Sequence, residues 1–218
     1  MLNQPLDCEK FFKELRDRLA FELPGEAAQN RMTARARIST AEYLRQNPHY
    51  RKSAVLLLVY PYEETVYTLL IRRPSYDGTH SGQLALPGGK VEEDDSTLIH
   101  TAIRETMEEV GVDVPEKNIL GSLSPVYIPV SNYLVQPFVA QLPERPSWNP
   151  DHREVDALLE IPLTRLLDPQ IKSRRRIPVG KNMFVDAPCY ILNDQILWGA
   201  TAMMFSELEE LIAGFQKK

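Results

Sequence analysis

Near the start of the chain apolar residues recur at helical spacing. Phe11, Phe12, Leu15 and Leu19 alternate with charged residues through residues 7–23, and Pro24–Gly25 is expected to stop that helix. A basic stretch, NRMTARARISTAEYLRQ, predicts loop and then a short helix ending near Asn47–Pro48. The pattern then changes to short continuous apolar runs. SAVLLLVYP (53–61) predicts a buried strand, and TVYTLLIRR (65–73) predicts its neighbour across a turn at Tyr62–Glu64. GQLALPGG predicts a third strand running into a glycine turn. From Ser96 to Val110 the period is helical again. Leu98, Ile99, Ala102, Ile103 and Val110 form one apolar side, with Ser96 as N-cap and Gly111 as the C′ stop.

Further on, NILGSLSPVYIP and NYLVQPFVAQLP predict two strands joined at Ser131–Asn132, with Pro137 marking an edge or a bulge. DALLEIPLTRLLD predicts a strand or loop leading to a helical turn. MFVDAPCYILNDQILWG predicts a hairpin turning at Asn193–Asp194, and TAMMFSELEELIAGF a closing amphipathic helix. There are no repeats, low-complexity tracts or clear linkers. The fold class is α/β (or α+β): a helical N-terminal extension, 1–50, ahead of a main domain, 51–218.

Composition narrows the classes of function. The chain has 218 residues, is 43% hydrophobic and carries a formal charge of −5, so a core is available and neither nucleic acid nor an anionic membrane is an expected partner. Two cysteines, Cys8 and Cys189, lie too far apart in sequence to form a metal-ligand motif and suit a reducing interior. The N-terminus does not resemble a secretory signal, no apolar run approaches the ~20 residues of a membrane span, and the C-terminal GFQKK is not an address, so a cytoplasmic protein is expected.

The chemistry concentrates in PGGKVEEDDSTLIHTAIRETMEEVGV (87–112). Residues three and four apart share a helix face, so Glu105 stacks with Glu108 and Glu109, and Arg104 can hold Glu108. A cluster of hard oxygen ligands behind a Gly-Gly turn suits Mg²⁺ or Mn²⁺, which keep several waters and also bind substrate phosphate oxygens. Such an ion would offset the charge of a diphosphate and activate a water, with one carboxylate as general base.

These residues resemble the Nudix box: Gly89, an acid at Asp94 or Asp95, then Arg104, Glu105, Glu108, Glu109 and Gly111. The spacer from Gly89 to Arg104 is one residue longer than in the commonest box, Asp stands for Glu there, and Thr106 stands where an apolar residue is usual. The resemblance implies a Nudix fold, a mixed β-sheet sandwiched between helices. It also implies metal-dependent hydrolysis of a nucleoside diphosphate joined to another group, with Glu105, Glu108 and Glu109 as metal ligands and Arg104 orienting them. Gly88 and Gly89 allow the turn that delivers the helix.

The preceding stretch, LLIRRPSYDGTHSGQLALPGG, resembles the coenzyme A pyrophosphatase branch at Leu69, Leu70, Arg73, His80, Gly82, Gln83, Ala85, Pro87, Gly88 and Gly89. Ile71, Pro74, Leu84 and Leu86 depart at packing-type positions, and Gly78 stands where the branch often has arginine. The branch cleaves coenzyme A or acyl-CoA to 3′,5′-ADP and (acyl-)4′-phosphopantetheine. Arg72, Arg73 and His80 would meet the additional phosphates. The plainer readings are a strand-end pair for the arginines and a turn-fixing role for His80. Gln83 bonds either substrate or its own loop. Glu154 is a second general base beside Glu105, or else a solvated acid beside Arg153. Trp198, Met203 and Met204 read as core. Two rival functions stand beside this one: a Nudix hydrolase of ADP-ribose, a nucleotide sugar or a nucleoside triphosphate, and a catalytically silent nucleotide sensor. Either a monomer or a homodimer is compatible with the chain.

Overall fold

The computed structural model describes residues 7–76, 78, 80–180, 183–213 and 215. Two long strands, β1 (Arg51–Tyr62) and β2 (Thr65–Arg72), form a hairpin whose turn uses left-handed Glu63 and Glu64. Their apolar runs are continuous because both faces of the sheet are covered. Leu57 and Val59 of β1 point into one core, whereas Ala54, Leu56, Leu58 and Tyr60 point into the other. The third predicted strand is two short pieces, β3 (Leu84–Ala85) on β2 and β4 (Gly88–Lys90) on β1.

After helix α4 (Leu98–Val110; α1–α3 are placed below) the chain returns through β5 (Ile119–Ser122), β6 (Val126–Ile128) and β7 (Tyr133–Gln141). β7 runs parallel to β1 on one side and meets β5 and β6 on the other. It is therefore an interior strand, not an edge. Pro137 is tolerated because it lies opposite the break between β5 and β6, where its missing N–H interrupts no antiparallel ladder. β8 (Ala157–Pro162) closes the eight-stranded mixed sheet on the far side of β2.

α4 covers one face. The other is covered by α1 (Cys8–Leu19), through Phe11, Phe12, Leu15 and Leu19, and by α5 (Gly199–Ala213). α1 ends at Leu19, so Pro24–Gly25 does not stop it; Gly25 instead opens α2 (Gly25–Gln29), and α3 (Thr40–Gln46) follows. A second sheet, β11–β10–β9, comprises β9 (Lys172–Gly180), β10 (Met183–Leu192) and β11 (Gln195–Trp198). Asn193 and Asp194 adopt positive φ at the β10–β11 turn, as the sequence suggests. Among the described residues no helix is long and apolar enough to cross a membrane.

Candidate active site

The site is built from β4 and α4. Gly88 pairs with Val55 and Gly89 with Ala54, and a Cβ at Gly88 would collide with the backbone of Ala54 and Val55. Its φ of +145° is also glycine territory. A Cβ at Gly89 would strike the carboxylate of Glu105. One glycine thus lets the turn press onto β1, and the other leaves room for an acid.

α4 starts one residue later than expected. Thr97, not Ser96, is the N-cap, because its Oγ1 accepts the His100 N–H, while the Ser96 hydroxyl lies 2.6 Å from the His100 Nδ1. Gly111 ends the helix in the left-handed region (φ 71°), as predicted. The segment 149–155 docks there: Asn149 N–H donates to the Val110 carbonyl and Asp151 N–H to that of Glu109. That docking brings exposed Glu154 into the electrostatic field of Glu105 and Glu109.

The apolar side read from sequence does face the core, with Ala102 and Val110 fully buried and Leu98, Ile99 and Ile103 packed against them, but the buried stripe is wider than that side. Thr101, Ala102, Glu105, Thr106, Glu109 and Val110 are buried, whereas Leu98, Ile99 and Ile103 are half-buried. Thr106 fits its buried position by donating its hydroxyl to the Ala102 carbonyl at 2.7 Å. Glu109 is 2% exposed and Glu105 8%. Glu109 Oε2 accepts the Gly88 N–H at 2.8 Å. Burial pushes its pKa up to about 7, against the opposing pull of that N–H and of Arg73. Burial also raises Glu105, partly offset by Arg104.

Glu108 takes a different course. It is exposed and ion-paired with Arg104 at 3.1 Å, sharing the Arg104 Nη1 with Glu105, while Glu109 lies apart on the Gly88 N–H. Arg104 occupies the centre of an acidic ring. It reaches Glu105 and Glu108 through Nη1, Asp95 through Nε and Nη2 at 3.0 and 2.9 Å, and the Lys90 carbonyl. The spacer acid is therefore Asp95, not Asp94. Asp95 also accepts the Thr101 hydroxyl and the Glu92 N–H.

Of the upstream residues, Arg73 bonds through its N–H to the Gln83 carbonyl and places its charge near Glu109. Arg72 is held by Asp156 at 2.7 Å, the strand-end arrangement. His80 sits at positive φ (68°) with Nδ1 3.2 Å from Gln83 Oε1, so each serves the loop. Met203 and Met204 are buried core, as expected, whereas Trp198 is only half-buried.

Among the described residues, no three His, Cys, Asp or Glu side chains form a ready-made metal cage. The donor chemistry nevertheless fits a hard divalent cation. Glu105 and Glu109 offer buried carboxylate oxygens whose ionised forms are only partly compensated by Arg104, Arg73 and the Gly88 N–H, and Mg²⁺ is commonly held by one or two carboxylates plus waters and substrate phosphates.

A glycine turn over a carboxylate-bearing helix, on a mixed sheet covered by helices, defines a Nudix domain. The Nudix domain profile matches residues 50–178, and the chain belongs to that family. It is 34% identical over 149 residues to the mitochondrial coenzyme A diphosphatase NUDT8 of Homo sapiens, a match covering 68% of this chain and 62% of the human protein. To the Mus musculus protein of the same name it is 34% identical over 160 residues, 72% of this chain and 75% of that one. An uncharacterized Nudix hydrolase, NudL, of Yersinia pestis (strain Pestoides F) is 35% identical over 166 residues, 75% of this chain and 80% of that one. Among solved structures, a MutT/nudix family protein from Enterococcus faecalis superposes with TM-score 0.51 at 16% identity, over 81% of this chain and 70% of that one. The M. smegmatis Nudix hydrolase RenU gives 0.50 at 20%, over 76% and 87%. At those identities the structures show the shared fold alone.

Proposed function

We propose that the protein hydrolyses the diphosphate of coenzyme A or an acyl-CoA with Mg²⁺ or Mn²⁺, releasing 3′,5′-ADP and (acyl-)4′-phosphopantetheine. The observation that carries metal-dependent chemistry is Glu109, a buried carboxylate held by the Gly88 N–H beside Glu105. The substrate rests on likeness to the two coenzyme A diphosphatases and on the residues from Leu69 to Gly89.

Glu105 and Glu109 would hold the ion, with Glu108 as the third carboxylate on the helix. Once bound, the ion supplies charge neutralisation for the diphosphate and acidifies water. Arg104, anchored on Asp95, positions Glu105 and Glu108. Arg73 faces the phosphates. Glu105 or Glu154 takes the proton as one water adds across the P–O–P bridge and the bridge breaks. We place the protein's action in the cytoplasm, as two cysteines far apart in sequence suit a reducing interior.

A second reading, another nucleoside diphosphate derivative such as ADP-ribose, draws support from one feature. Arg72 is engaged by Asp156 and His80 by Gln83, so two groups expected to meet the additional phosphates already have partners. Hydrolysis of coenzyme A with each metal, products identified by mass, beside Glu109→Gln, tests the proposal. Release of 3′,5′-ADP and phosphopantetheine, lost in the variant, is expected. Turnover of ADP-ribose without coenzyme A cleavage would replace the substrate. Tight nucleotide binding with no turnover would indicate a sensor.

A further inference from the structure

A cleft of about 320 Å³ opens where the loop preceding β3 faces the C-terminal sheet. Gln83 and Leu84 form one wall; Ile177 and Pro178 of β9 and Ile196 and Trp198 of β11 form the other. Small-molecule pockets run from ~300 to ~1,000 Å³, so this space suits part of a substrate better than a whole nucleotide conjugate.

The cleft shares a loop with the active site. The Gln83 carbonyl accepts the Arg73 N–H at 3.0 Å, and the same loop runs on to Gly88, whose N–H binds Glu109. Among the described residues that line the cleft, none is charged, and phosphate groups would find no cation there. What it offers is apolar wall with hydrogen-bonding groups set into it: the amides of Gln83 and Gln195 and the hydroxyl of Ser81. Ile196, 38% exposed, is an isoleucine left outside the core with its side chain available to this space.

We propose that the cleft receives the uncharged, amide-bearing arm of the substrate, the pantetheine half of coenzyme A, and that Ile196, Trp198 and Pro178 set the preference for that arm. This inference rests on the functional reading above. The methylenes of the arm pack on Ile177, Ile196 and Trp198. Its two amides meet Gln195 and the Nε2 of Gln83, the end of that side chain that does not contact His80. The diphosphate then lies toward Glu105 and Glu109, and the charged 3′-phosphoadenosine half lies outside the cleft.

The test uses Ile196→Glu on β11 and Pro178→Asp on β9. Both positions are exposed, so both variants should fold, and their unfolding midpoints are measured alongside. Binding of 4′-phosphopantetheine and of 3′,5′-ADP is measured by calorimetry, and KM for coenzyme A by turnover. A charge placed against the arm should weaken phosphopantetheine binding and raise KM by about tenfold or more. Binding of 3′,5′-ADP should stay within about twofold. If both variants cleave coenzyme A with unchanged KM, the inference is overturned and the function stands. Loss of 3′,5′-ADP binding instead would assign the cleft to the nucleotide half and overturn it too. A wild-type protein that neither cleaves coenzyme A nor binds phosphopantetheine removes the functional reading, and the inference falls with it.

Discussion

Helices α4 and α5 both bury glutamates, and they treat them in opposite ways. Glu207 of α5 is fully buried, and its carboxylate accepts the Gly25 N–H at 3.1 Å, the Gln29 side-chain amide at 2.9 Å and the Ser124 N–H at 3.2 Å. Those donors come from three positions, at the N-terminal end of α2, at its C-terminal end and between β5 and β6. Glu207 thus fastens the N-terminal segment to the body. Glu109 of α4 is almost as deeply buried but accepts the Gly88 N–H in the midst of other carboxylates, and burial drives its pKa up to about 7. A buried charge needs partners. Where neutral donors surround the carboxylate, it is a fastening. Where they fall short, as at Glu109, a bound cation would supply the missing positive charge.

The sharpest way to break this contrast is to remove each charge in turn. Glu109→Gln should cut turnover by about 10³-fold while leaving the unfolding midpoint unchanged or raised, since it deletes a poorly compensated buried charge. Glu207→Ala should do the reverse. It strands the N–H groups of Gly25 and Ser124 and the Gln29 amide, at a cost of about 3 kcal/mol in urea unfolding, with kcat per folded molecule preserved. An unchanged urea midpoint in Glu207→Ala would mean that its hydrogen bonds do not hold the segment.

Metal addition sharpens the same comparison. Mn²⁺ at about 100 times its Kd should stabilise the wild type by about 2.7 kcal/mol. Glu207→Ala should keep that increment, read by thermal unfolding with and without chelator, and Glu109→Gln should lose it. Equal stabilisation of all three proteins would place the ion elsewhere.

How far the sequence disclosed this contrast depends on burial. β1 and β2 were legible because a strand covered on both faces must be apolar throughout. β9 was not, because Lys172, Arg174, Arg175 and Arg176 face solvent and only Ile177 is buried, so KSRRRIPVG reads as a basic cluster. The glutamates of α4 stood out by spacing, and periodicity found the apolar side at Leu98, Ile99, Ala102, Ile103 and Val110. It could not foresee that a glycine turn would bury Glu105 and Glu109 alongside Thr101 and Thr106. Glu207 went unremarked, since its partners lie 182, 178 and 83 residues away. The choice between Asp94 and Asp95 likewise needed Arg104 in three dimensions.

Asp95 supplies the smallest of these tests, and it separates a positioning role from a purely structural one. Its side chain is 4% exposed, and Arg104 grips both oxygens. Those hydrogen bonds, opposed by burial and helped by the Glu92 N–H and the Thr101 hydroxyl, hold its carboxyl well below the usual range. The folded state therefore favours the ionised form more than the unfolded chain does. The resulting stabilisation is fully present above the unfolded pKa of about 3.9 and is lost as pH falls below it. Asp95→Asn should lower stability at neutral pH by about 1–2 kcal/mol and flatten that acid limb. It should also reduce turnover by about tenfold, because Arg104 loses the anchor from which it positions Glu105 and Glu108. A variant that loses stability but keeps full turnover would show that the Glu105 carboxylate is placed by the Gly89 turn alone.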